Sequence, residues 1–150
     1  MASHLPEIVA AIKALVITYN GKTIGTRSGE TINNTAELAD LPVRIFSAMG
    51  TMGGQAVRRT FGSGAVMSMR WEIVDVLLGQ RLDLSRGIKD QSAALMQYAA
   101  DYTEAIRLVS NGHYSLDDLT VRPGTVEWPN GSGTYFYGVE CTVTVKEIVQ

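Results

Sequence analysis

The chain has 150 residues, 45% of them hydrophobic and 19% charged, with a formal net charge of -2. That length fits one domain able to bury a core without staples, and the charge balance speaks against a strongly basic nucleic-acid binder. The single cysteine, Cys141, excludes an internal disulfide, and no run reaches the roughly 18 apolar residues that a membrane span needs.

The opening stretch, MASHLPEIVAAIKALVITYN, places Leu5, Ile8, Val9, Ile12, Leu15 and Val16 on one helical face. Ser3 is a candidate N-cap, Pro6 is tolerable in a first turn, and Asn20-Gly21 is a stop signal. The expectation is a helix of about four turns. Glu7 and Lys13 interrupt the apolar run, and no basic region precedes a cleavage site, so the stretch does not read as a secretory signal. The expected product is therefore soluble and intracellular, and the acceptor triplet Asn33-Asn34-Thr35 carries little meaning there.

A short strand is expected near Lys22 to Arg27, then a loop over SGETINNTAELAD. In LPVRIFSAMG, Val43, Ile45 and Ser47 alternate with Arg44, Phe46 and Ala48, which reads as a strand partly covered on both faces. Five glycines between positions 50 and 64 predict a mobile loop or a hairpin arm. Met67, Met69, Trp71 and Ile73 then alternate with Ser68, Arg70 and Glu72, as in a half-buried strand. The apolar phase changes near Val74, where a bulge is expected.

After the polar connection GQRLDLSRGIKDQ, a helix is predicted from Asp90, its cap, to Ser110. Leu95, Tyr98, Ala99, Tyr102, Ile106 and Val109 form its apolar stripe, and Asn111-Gly112 stops it. Two strands follow, Leu119–Trp128 and Tyr135–Ile148, joined through the hairpin signal PNGSG. Hairpin-linked strands and two amphipathic helices predict a single domain over 1–150 of class α+β. Its antiparallel sheet carries both helices on one face, and a long flexible loop or hairpin arm projects from it.

Groups suited to catalysis are few. His4 lies at a helix start and His113 just past a helix end, where a capping or surface role is the ordinary one. Neither has metal-ligand spacing, and one cysteine cannot build a cysteine-rich zinc site. The segment GTMGGQAVRR lacks the Gly-Lys-Ser/Thr of a phosphate-binding loop, so a connector is the simpler reading. Within it, Gly53, Gly54, Arg58, Arg59 and Phe61 are candidates for a contact between subunits. Arginine's planar fork suits interfaces, and glycines let an arm reshape on docking on an acidic neighbour or on phosphates. Asp117-Asp118 reads as a turn, and Glu127 and Glu140 as solvent-facing or intersubunit strand residues. On the last strand, Tyr135, Tyr137, Val139, Cys141, Val143 and Val145 share one face. Thr142, Thr144 and Lys146 share the other with Phe136. That polar, weakly charged face and its edge are poorly defended against pairing, so they too are candidate interface or lumen positions. No catalytic residue, cofactor site or metal site is expected.

Four stretches carry a resemblance: EIVAAIKALV, VMSMRWEIVDVLL after the glycine-rich segment, ALMQYAADYTEAIRLV, and VRPGTVEW followed by YFYGVECTVTVKEI. In their order and patterning, from Leu5 to Ile148, the chain resembles the tail terminator proteins of long-tailed bacteriophages. The resemblance implies a non-enzymatic virion protein at the tail and neck, assembled in the host cytoplasm. It implies a homo-oligomeric ring, usually a hexamer, that caps the tail tube protein, stops tube growth and meets the head–tail connector or stopper. DNA passes through the lumen without sequence-specific binding, and no membrane or cofactor is involved. Head-completion proteins of the connector or stopper kind share parts of the pattern and are the alternative, with a small ligand-binding or enzymatic α+β domain behind them. The sheet edges and the 50–64 loop are the expected suppliers of ring contacts, and the loop is expected to be disordered in the free subunit and ordered in the assembly.

Overall fold

The computed structural model describes residues 4–24, 26–28, 41–47, 56–61, 67–82, 88–110, 113–128 and 131–149. In chain order these form α1 (Leu5–Lys13), β1 (Thr18–Tyr19), β2 (Lys22–Thr23), β3 (Thr26–Ser28), β4 (Val43–Ser47), β5 (Ala56–Phe61), β6 (Met67–Arg81), α2 (Ile88–Ile106), β7 (Tyr114–Glu127) and β8 (Tyr135–Val149). The fold is α+β. The main sheet runs β3-β4-β6-β8-β7, with β5 also paired to β6. Its pairs are antiparallel except β3 with β4. One edge of β6 is taken by β8, and the other is shared end to end: β5 pairs with Met67–Glu72 and β4 with Val74–Leu78.

Both helices lie on one face of the sheet, as their apolar stripes require. Ile8 and Ile12 of α1 and Leu95, Tyr98, Tyr102 and Ile106 of α2 pack on Trp71, Ile73 and Leu77 of β6 and on the alternate residues Val139, Cys141, Val143 and Val145 of β8. A second buried cluster occupies one end of the opposite face: Val43, Ile45, Val74, Val76, Leu78, Val126, Trp128 and Phe136. This explains the apparent phase change near Val74. The register from Met67 to Leu78 is unbroken. The strand is simply buried on both faces beyond Ile73, so residues of both parities, Asp75 excepted, are apolar. The irregularity lies later, between Leu78 and Gln80.

Several element boundaries differ from the sequence expectation. Helix α1 has nine residues and ends at Lys13. Ser3 lies outside the described residues, and the N-cap is His4. Asn20-Gly21 does not stop the helix. Its two residues have φ of 51° and 75°, the left-handed pair that closes a two-residue hairpin, here between β1 and β2. Arg27 belongs to β3, so the strand expected over 22–27 is two pieces. Helix α2 begins at Ile88, which places Asp90 in its first turn rather than at its cap, and Asn111-Gly112 lies outside the described residues.

Strand β7 starts at Tyr114, not Leu119. Asp117-Asp118 is no turn: the pair sits in a register shift between Leu116 and Asp118, which absorbs the extra residue without ending the ladder. The hairpin to β8 forms as expected, with Gly131 and Gly133 at φ of 81° and 77° and the Trp128 N–H donating to Thr134 O at 2.9 Å.

Candidate assembly surfaces

The buried polar groups are structural in their geometry. Arg44 is fully enclosed, and its strand register opposite Leu77 aims it to the helix side. Its Nη2 donates to Asp75 Oδ2 at 2.5 Å and to Ile12 O at 3.1 Å, its Nε to Asp75 Oδ1 at 3.3 Å, and its Nη1 to Leu15 O at 3.0 Å. Tyr102 Oη donates to Asp75 Oδ2 at 3.0 Å. One guanidinium thus satisfies carbonyls at the end of α1 and neutralises a carboxylate on β6. Burial pulls its pKa down, but the charge and hydrogen bonds of Asp75 outweigh burial and hold it above its ordinary value. Burial, then the Asp75 charge, pushes the Tyr98 and Tyr102 phenols up, and the same two causes push up the Cys141 thiol. A thiol so placed behaves as a small apolar side chain.

A second buried carboxylate, Glu147, anchors the start of α1. It accepts the His4 backbone N–H at 2.9 Å and the Trp71 indole N–H at 2.7 Å. The two histidines meet: the His4 and His113 rings stack with centroids 4.3 Å apart, and His4 Nδ1 lies 3.2 Å from Glu7 Oε2. Both thus help fix the helix start against the head of β7. Among the described residues no group of His, Cys, Asp and Glu side chains could hold a metal ion. A groove of about 350 Å³ lies beside the β1–β2 hairpin, lined by Tyr19, Lys22, Pro42, Gly79, Arg81 and Gln91 among others. There Tyr19 Oη donates to Gln91 Oε1 at 2.5 Å, and Gln91 Nε2 donates to Gln80 Oε1 at 2.8 Å. These bonds tie hairpin, helix and sheet together.

Among the described residues, the open surface lies on the face away from α1 and α2, at the end away from the second apolar cluster. Cross-strand register places Arg70 and Glu72 of β6 beside Lys146 and Thr144 of β8, and Ser115, Asp118, Thr120 and Arg122 of β7 beside Lys146, Thr144, Thr142 and Glu140. Arg70 reaches across β8 to Asp117, with Nε 3.3 Å from Oδ2. Cations and carboxylates alternate here with threonines, so the band is polar without a dominant sign. Thr142, Thr144 and Lys146 lie within it, each half-buried.

β8 has no free edge for a neighbour, because β6 takes one side and β7 the other along nearly its whole length. Thr142, Thr144 and Lys146 can meet a partner only through their face. Phe136, on the same side, is wholly buried in the second cluster, and Tyr135 is exposed rather than grouped with Tyr137. Glu127 is tied to its own hairpin: hydrogen bonds from Gly131 N–H and then the Tyr135 hydroxyl hold its carboxyl below the usual range.

Among the described residues the edges instead belong to β3, β5 and β7. Arg58, Arg59 and Phe61 lie in β5, in register opposite Arg70, Met69 and Met67. Residues 56–61 are therefore strand, paired antiparallel with the start of β6 as in the hairpin-arm alternative. Gly53 and Gly54 lie outside the described residues. Neither a protein-family model nor a curated protein matches this sequence.

Proposed function

We propose that this chain is a structural virion subunit of the tail-terminator kind. Copies form a ring, hexameric in the family it resembles, on the end of the tail tube. The ring halts tube growth and offers its other side to the head–tail connector or stopper, and the genome passes through its lumen. The observation that carries this reading is the two-sided sheet: helices cover one face, and the other keeps an uncovered band of interspersed charges and threonines on β6, β7 and β8. Such a face suits a channel wall. Phosphates sliding past it release few counterions, because carboxylates are interspersed among the cations, so DNA is held only weakly. A closed ring also needs two different complementary patches per subunit, which the opposite sheet edges can supply.

Light scattering and electron microscopy of the purified protein, followed by incubation with purified tail tubes, test the reading. The expected result is a hollow ring that caps tube ends and blocks further growth. Rings that never bind tubes would favour a connector or stopper. A monomer at every concentration that takes up a small molecule beside Tyr19 and Gln91 would overturn the proposal.

A further inference from the structure

We infer that copies of this chain join edge to edge, with β5 of one laid along the first half of β7 of the next, and with Arg58 and Arg59 brought level with Asp117 and Asp118. This deepens the ring reading and rests on it. Three observations on the backbone carry it.

The first is availability. Among the described residues, β5 pairs only with β6 and β7 only with β8, so each turns one row of backbone N–H and C=O groups away from the sheet. Unpaired rows of this kind are templates for strand addition.

The second is direction. β5 is antiparallel to β6, β6 to β8, and β8 to β7. A neighbour that continues the sheet sideways, without turning over, therefore sets its β5 antiparallel to β7. The ladder carries on, and every copy keeps its helices on the same side and its polar band on the other. The contact joins two different edges, which is the head-to-tail type that closes into a ring.

The third is level and charge. The row through Arg58 runs Arg58–Arg70–Lys146–Ser115, and the row through Asp118 runs Asp118–Thr144–Glu72–Ala56. The arginine pair on one edge and the aspartate pair on the other thus sit at the same end of the sheet, about two residues apart. Pro123, which has no N–H to donate, lies in the other half of β7, so the half that carries the aspartates has the unbroken set of backbone donors.

Charge reversal tests the contact. Arg58→Asp with Arg59→Asp, or Asp117→Arg with Asp118→Arg, places like charges together, and the concentration needed for assembly should rise at least about tenfold. All four changes in one chain restore opposite charges between neighbouring edges, at the cost only of the Arg70–Asp117 pair within each chain, and should restore the ring. Mixing the two single-edge variants should restore it as well. Ring assembly of the unmodified protein should also weaken as salt rises, because exposed charge pairs are screened. A monomeric unmodified protein overturns both this contact and the ring. Rings that form normally after either reversal, or that ignore salt, overturn the edge contact and leave the ring reading standing.

Discussion

Arg44 has no exposed surface, yet it carries a full charge among apolar neighbours. Enclosing an ion pair is expensive, and the return here is connectivity: one side chain holds α1, β4 and β6 in a fixed relation. Removing one partner should hurt far more than removing both. Arg44→Met leaves the Asp75 carboxylate buried without its counter-charge, and urea unfolding should show a loss of about 3–5 kcal/mol. Adding Asp75→Leu should recover most of that. If the double variant is as unstable as the single, the guanidinium acts chiefly through the α1 carbonyls. A lone charge inside VRI and another inside IVDVLL were visible in the sequence as breaks in apolar runs. Their pairing was not, because 31 positions separate them and only the β4–β6 register sets them side by side.

Among the elements, β6 and β8 make the frame. Gly138 marks where they press together: a Cβ built there would lie 2.0 Å from Leu77 O, well inside contact distance. The obstruction is backbone, so a rotamer change cannot relieve it. Gly138→Ala should therefore lower stability by about 1–3 kcal/mol or more, as overpacking does, and raise amide exchange in the paired stretch of β6. Wild-type stability in that variant would show that the two strands can separate freely. The alternation of β8 was legible from its sequence, and so were the PNGSG hairpin and the stripe of α2. The neighbours of β8 were not, since period 2 tells which face a residue occupies and says nothing of whether the strand lies inside the sheet or at its edge.

For the molecule as a whole, the helix-side core contains two phenols, Tyr98 and Tyr102, whose burial holds their pKa values above the ordinary 10.0. A group whose folded pKa is raised contributes stability that is complete below its unfolded pKa and is lost as the pH rises through the folded one. Stability should thus hold up to about pH 10 and fall beyond it. Tyrosinate absorbance followed together with circular dichroism checks this. Part of the tyrosinate signal should appear only with unfolding, whereas full ionisation of all six tyrosines before any loss of structure would contradict the burial.

Local chemistry determined the α+β class, the two amphipathic helices, the long alternating strands and the C-terminal hairpin, because each depends on side-chain period and turn residues a few positions apart. Tertiary structure alone decided the order of strands, the second apolar cluster, the enclosed Arg44–Asp75 pair and, among the described residues, the assignment of the edges to β3, β5 and β7. Those depend on which distant segments share backbone hydrogen bonds, and a single strand's pattern of polar and apolar residues is the same whichever neighbour it finds.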